Sequence, residues 1–338
     1  MTLIKKKKTI YPINEPLRKF LIEYKKEIDI PVSYSDLSRF TSSINLYDKK
    51  GEDTLWLTVF YASEDMKEIY DGLKKIYAML KADGDLSVME HLYIDRVDLC
   101  SYGNTKPFRI RIVNQINDNF DYYYIKQADA SRVYGLELED MISPNRINYL
   151  VHNQTLIEEH IAGIPGYQFI REGLKDPELN RIRLAKEFVK FNERCFVRLL
   201  GDMHSNNFVI DMTPDFEEVH YRIRAIDFDQ QSFEGRRVVY MPQYFKENNP
   251  IIQLGIDMMT PATVQQYQKE ERSLMAQRIK ASLYSVKDLL KAMRKEPIAP
   301  KENVIQLREE LADFYKNDKF LKARNMGGVL QTSLEMLF

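Results

Sequence analysis

The segment "LLGDMHSNNFVID", Leu199 to Asp211, places an acid, a histidine and two asparagines inside an otherwise apolar run. Its apolar residues predict a buried strand after a helix, and Asp202, His204, Asn206 and Asn207 interrupt that pattern. An acid at such a turn can cap a helix or act as a catalytic group. The choice depends on which other polar side chains the chain brings to this turn.

The composition predicts an ordinary globular chain with two or more subdomains. Of 338 residues, 44% are hydrophobic and 29% are charged, and the net charge is -1. A balanced charge gives no general attraction to nucleic acid, and without a run of eighteen apolar residues we expect no stable membrane insertion. The two cysteines, Cys100 and Cys195, have no metal-ligand spacing, which favours a reducing cytoplasm.

The order of strand-like and helix-like segments predicts three regions. Residues 1–90 are expected to form an N-terminal accessory α/β region. Residues 91–163 are rich in strand patterns such as "KPFRIRIVNQI" and "FDYYYIKQA". Residues 164–338 are mostly helical and begin with the amphipathic "ELNRIRLAKEFVKFNERCFVRLL". A small antiparallel sheet followed by a larger helical body predicts an α+β fold.

Further polar groups stand at the ends of other strands. "YRIRAIDFDQQSF" is an apolar strand that ends in Asp227, with Asp229 two residues later. An unpaired buried carboxylate is costly, so Asp227 predicts a metal ligand, whereas Asp229 is either a second ligand or a loop acid. Lys126 ends the aromatic strand "YYYIK", where it either protects a sheet edge or binds phosphate.

Two acids, an asparagine and a lysine at strand ends are the groups that nucleotide phosphoryl transfer requires. The lysine holds phosphates, an acid and an amide bind Mg²⁺, and the other acid orients the acceptor hydroxyl and takes its proton. With Asn207 and Asp227 downstream, we interpret Asp202 as catalytic rather than as a cap. We interpret His204 and Asn206 as structural.

At these residues the chain resembles a known superfamily. "GDMHSNNFVI" resembles the catalytic loop of protein-kinase-like phosphotransferases, in the form found in aminoglycoside phosphotransferases and choline kinases. "IDFD" resembles their metal-binding strand end. The order of lysine strand, acidic helix, hinge, catalytic loop and metal aspartate is also similar. The resemblance covers roughly residues 91 to 260 and implies a bilobal protein-kinase-like fold with an N-terminal α/β extension.

The resemblance also implies roles for individual residues. Asp202 matches the catalytic base, Asn207 and Asp227 match the Mg²⁺ ligands, and Lys126 matches the lysine that binds the phosphates of ATP. The helix partner of that lysine would be Glu137 or Glu139 in "GLELEDM", and the sequence does not choose between them. The remaining nucleotide contacts would come from Gly103, Asn104 and Thr105 in a loop and from Glu159 and Ile161 at the hinge.

The implied activity is ATP- and Mg²⁺-dependent phosphorylation of a hydroxyl acceptor, a small molecule rather than a protein substrate. A protein kinase, an AMP-transferring variant and a non-catalytic pseudokinase are the alternatives. Gly103 is the lone glycine of "CSYGNTKPF", and this differs from the Gly-x-Gly loop of a typical protein kinase. Arg236 and Arg237 in the downstream loop either bind an anionic acceptor or are ordinary surface arginines.

Overall fold

The computed structural model describes residues 8–82, 84–102, 105–216 and 219–338. Contacts among these residues divide the chain into two compact units. The sheet unit contains Thr9–Ala130 and Ile147–His160. The helical unit contains Lys8, Ser131–Arg146 and Ile161–Phe338.

The sheet unit is built on an antiparallel seven-stranded sheet with the strand order β1-β2-β3-β4-β5-β7-β6. Side chains of one helix, α3, pack on one face of this sheet and form a core with residues such as Leu73, Val97 and Ile110. The strands are β1 (Ser42–Tyr47), β2 (Asp53–Phe60), β3 (Leu92–Cys100), β4 (Phe108–Asn114), β5 (Phe120–Gln127), β6 (Tyr149–His152) and β7 (Thr155–Glu159). The helices of this unit are α1 (Glu15–Glu23), α2 (Tyr34–Leu37) and α3 (Ser63–Lys81).

The helical unit surrounds a small three-stranded sheet with the order β10-β9-β8. Its long α6 begins where the Asn180 side chain accepts a hydrogen bond from the backbone N–H of Arg183 at 3.1 Å. The helices are α4 (Ala130–Ile142), α5 (Gly166–Arg171), α6 (Arg181–Val197), α7 (Asn249–Met258), α8 (Pro261–Ala281), α9 (Leu283–Met293), α10 (Lys301–Tyr315) and α11 (Met326–Glu335). The strands are β8 (Ile164–Pro165), β9 (Phe208–Pro214) and β10 (Val219–Ala225).

These elements confirm the predicted α+β fold class, with an antiparallel sheet in one unit and mostly helices in the other. The units are divided differently from the three regions that the sequence predicts. β2, from the predicted accessory region, pairs with β3 in the same sheet, with Thr58 opposite Asp98. Helix α4 lies within residues 91–163 but packs with the helical unit. Within the described ranges, no helix has both the length and the apolarity to cross a membrane.

Candidate functional site

The β9–β10 hairpin brings the two predicted catalytic segments together. Asn207 immediately precedes β9, and one residue, Ile226, separates Asp227 from the end of β10. The last pair of the antiparallel register joins Phe208 to Ala225, and the N–H of Ile226 then donates to the carbonyl of Asn207 at 3.0 Å. Strand pairing therefore brings together Asn207 and Asp227, which lie twenty positions apart in the sequence.

The turn before β9 has a strained backbone that neighbouring segments hold in place. Leu199 and Asp202 have φ of 56° and 64°, a left-handed conformation that residues other than glycine rarely adopt. The N–H of Asp202 donates to the carbonyl of Val239 at 3.1 Å. The Gln231 amide donates to the carbonyls of Arg198 and Leu199 at 2.6 and 3.2 Å. Strain held in this way is typical of functional sites.

Asp202 has the electrostatics of a general base. Burial, followed by the charge of Asp227, raises the pKa of its carboxyl to about 7, and Glu234, Glu247 and Asp229 contribute further repulsion. A base with a pKa near neutrality combines a useful deprotonated fraction with a strong pull on a proton. Nearby acids would also favour a cation at this place.

Asn207 and His204 support the Asp202 turn. The Asn207 Nδ2 donates to the carbonyl of Asp202 at 2.9 Å, which leaves its Oδ1 as the atom that can ligate a cation. The His204 Nδ1 accepts the N–H of Asn206 at 3.3 Å, and its Nε2 lies 4.0 Å from the Asp202 Oδ1. Burial lowers the pKa of His204. The structural role of His204 stays a prediction.

A group that we call the aspartate cluster consists of Asp227, Asp229 and Arg132. The Arg132 Nη1, from α4, donates to the Oδ1 of Asp227 at 2.8 Å and to the Oδ1 of Asp229 at 2.9 Å. The Arg132 side chain is 3% exposed, and that of Asp227 is 36% exposed. The cluster therefore has its cation on the buried side and one carboxylate on the accessible side.

Glu139, also on α4, forms an ion pair with Arg198, the residue that follows α6, and we call these two residues the closed pair. Both side chains are 2% exposed. Glu139 also accepts hydrogen bonds from Ser143 Oγ at 2.7 Å and Asn145 Nδ2 at 2.9 Å. Glu137 is buried as well. The partnership of Lys126 with Glu137 or Glu139 stays a prediction, and in the structure Glu139 is engaged by these three residues.

The predicted nucleotide-binding residues of the sheet unit have contacts of their own. The Lys126 Nζ lies 2.7 Å from the Glu158 Oε2, and both side chains are about nine-tenths buried. Glu159 binds Lys81 at 2.9 Å and accepts the N–H of Asn148 at 2.8 Å. Thr105 and Ile161 are buried, the latter in the helical unit. Gly103 and Asn104 lie outside the described residues.

Two contributors to the site were not identified from the sequence. Arg132 is one, and Asn248 is the other: its buried Nδ2 donates to the carbonyls of Met203 and Pro242 at 2.9 and 2.8 Å. The first ten residues of α4, 130–139, are all buried. A charged residue in such a helix must have a fixed partner, and this would have singled out Arg132. Arg237, predicted as a possible acceptor ligand, packs over Phe314 at 4.5 Å and its N–H donates to Glu310.

The donor atoms around Asp227 suit a hard cation. In the part of the chain that the structure describes, no three His, Cys, Asp or Glu side chains form a metal-binding group. Mg²⁺ commonly takes only one or two carboxylates and completes its shell with substrate phosphates and water. The carboxylate of Asp227 and the amide oxygen of Asn207 fit that requirement.

Comparisons with known proteins gave only distant similarities. No family model and no curated protein matches the chain. The autoinhibited serine kinase domain of the giant muscle protein titin is 12% identical with a TM-score of 0.28, over 72% of this chain and 92% of that one. Titin kinase with its flanking domains is 13% identical with a TM-score of 0.27, over 83% and 57%. The PAN3 pseudokinase of Neurospora crassa is 10% identical with a TM-score of 0.21, over 81% and 70%. These neighbours are kinase and pseudokinase domains.

Proposed function

We propose that this protein is an ATP- and Mg²⁺-dependent phosphotransferase that moves the γ-phosphoryl group to a hydroxyl, most suitably that of a small molecule. The observation that supports this best is the pairing of β9 with β10, which brings Asp202, Asn207 and Asp227 into one place. A base of near-neutral pKa beside two oxygen ligands for a divalent cation is the arrangement that phosphoryl transfer requires.

Each residue has a defined task in this proposal. Asp202 orients the acceptor hydroxyl and takes its proton as the new phosphate ester bond forms and the bond from the γ-phosphorus to the bridging oxygen of ADP breaks, which releases ADP. Asn207 and Asp227 would hold Mg²⁺, which when bound neutralises charge on the transferred phosphate. Lys126 would bind the phosphates of ATP after leaving its ion pair with Glu158. This assignment follows the motif resemblance to aminoglycoside phosphotransferases and choline kinases.

The proposal is tested by assaying phosphate transfer from ATP to a panel of hydroxyl-containing metabolites. Asp202→Asn and Asp227→Asn should each lower the rate by about 100-fold or more, because each removes a group that acts on the reacting atoms. The matched control is Asp215→Asn, which neutralises an exposed aspartate in the turn between β9 and β10. Full activity in either site variant would refute the assigned roles.

One observation favours a second candidate, a pseudokinase that binds nucleotide without transferring phosphate. The guanidinium of Arg132 already supplies a positive charge to Asp227 and Asp229. Thermal unfolding with ATP separates the candidates, since a ligand at 100 times its dissociation constant adds about 2.7 kcal/mol of stability. Stabilisation without transfer to any acceptor or to water would indicate the pseudokinase, and stabilisation with transfer would indicate the enzyme.

A further inference from the structure

We infer that Arg132 is a positioning residue that makes cation binding at Asp227 dependent on the nucleotide. It fixes the aspartate and cancels part of the negative charge that would otherwise hold a divalent cation in the absence of phosphates. This inference rests on the proposed phosphotransferase function, and the experiment below separates the failure of one from the failure of the other.

The first step is the geometry of the aspartate cluster. The Asp227 Oδ1 accepts from the Arg132 Nη1 at 2.8 Å and from the N–H of Asp229 at 3.0 Å. The Arg132 Nη2 also donates to the carbonyl of Ile226 at 3.2 Å, which fixes the guanidinium plane against the same turn.

The second step is burial. The Arg132 side chain is almost inaccessible, and the side chain of Asp229 is 12% exposed. A buried guanidinium keeps its charge and is poorly screened by salt, so it acts on both carboxylates at nearly full strength. Asp227 is the accessible member, so a cation arriving from solvent meets that residue first.

The third step is the charge count. The aspartate cluster sets two carboxylates against the guanidinium of Arg132, and the Asn207 amide adds an oxygen without adding charge. Affinity for hard divalent cations increases with the negative charge of the ligands. The guanidinium of Arg132 should therefore lower the affinity of Asp227 for such a cation until a nucleotide contributes phosphate oxygens. Arg132→Gln would remove this positive charge from both aspartates.

The test is titration of the protein with Mn²⁺, a spectroscopic substitute for Mg²⁺, followed by electron paramagnetic resonance with and without ATP. Without ATP, Arg132→Gln should bind Mn²⁺ at least about tenfold more tightly than the wild type. Arg132→Lys retains the charge and should stay within about threefold of the wild type. Arg222→Gln removes an exposed arginine from β10 and should change nothing.

The outcomes distinguish the two levels of the proposal. If the wild type binds Mn²⁺ with ATP but Arg132→Gln binds it no more tightly without ATP, the inference about Arg132 is overturned and the phosphotransferase remains. If the wild type binds no Mn²⁺ even with ATP, the proposed metal site itself fails. If Arg132→Gln does not fold, as judged by circular dichroism, Arg132→Lys decides. A tenfold change of its affinity in either direction overturns the inference.

Discussion

The closed pair and the aspartate cluster each include one residue of α4, and the two sites differ in the number of carboxylates that each arginine contacts. Glu139 and Arg198 match one charge with one charge, and both are removed from water. Arg132 serves two aspartates, one of which remains 36% exposed. A pair that is closed to water leaves no room for a ligand, whereas a cluster with an accessible carboxylate does. We therefore expect the first site to serve the fold, and the second is the one proposed to bind a ligand.

Both sites use the same face of α4. Arg132, Gly135 and Glu139 are spaced three and four residues apart, which aligns them along one side of a helix. The Phe228 ring is close to both guanidinium groups, with its centroid 5.9 Å from Cζ of Arg132 and 5.8 Å from Cζ of Arg198. Changes at these positions therefore test the comparison in one structural setting.

The largest effect is expected for the closed pair. Glu139→Gln should lower the free energy of unfolding by about 3–5 kcal/mol, because it leaves the buried Arg198 charge without compensation. Urea denaturation measures this, with Asp140→Asn on the half-buried next residue as the control. Adding Arg198→Met to Glu139→Gln should recover part of the loss. A loss below 1 kcal/mol in the single variant would remove the structural role of the pair.

Replacing Asp202 should change the free energy of unfolding by a smaller amount and in the opposite direction. Its folded-state pKa of about 7 lies above the usual 3.8, so the folded state binds more protons between these values and stability falls as pH rises through that range. Asp202→Asn should therefore be more stable than the wild type at pH 8, by on the order of 2–4 kcal/mol, and the gain should be smaller at pH 5. Thermal unfolding at both pH values measures it. An equal gain at both would contradict the assigned electrostatics.

The smallest effect concerns the packing that the two sites share. A Cβ at Gly135 would lie 3.0 Å from the Phe228 Cβ and 3.2 Å from the Gln231 Cβ. Gly135→Ala should cost about 1 kcal/mol, because overpacking exceeds the gain in helix propensity. In α7, Gly255→Ala meets only Met259 Cε at 3.5 Å and should be neutral or stabilising. Destabilisation by Gly255→Ala and not by Gly135→Ala, measured by urea denaturation, would contradict this account.

The sequence alone identified the polar residues in the loops of the site, but it did not identify Arg132, which contacts two of the aspartates. Asp202, Asn207 and Asp227 stand at the ends of apolar segments, so local pattern was enough to single them out, although their catalytic and metal-binding roles stay predictions. Arg132 acts through partners 95 and 97 positions away. A local sequence pattern cannot predict a contact between residues so far apart in the chain. The division into units was hidden for the same reason, because strand pairing and helix packing join residues from different regions of the chain.

The contacts of helix α4 also have a fixed order of formation during protein synthesis. Its Glu139 precedes Arg198 by 59 positions, and its Tyr134 Oη donates to the Glu296 Oε2, 162 positions later, at 2.5 Å. Contacts between distant positions must close long loops and form slowly. On the ribosome, α4 therefore emerges well before its partners, and its charged face stays hydrated until Arg198, Asp227 and Asp229 have been added. The hydrogen bond from Tyr134 can form only after Glu296 has been added.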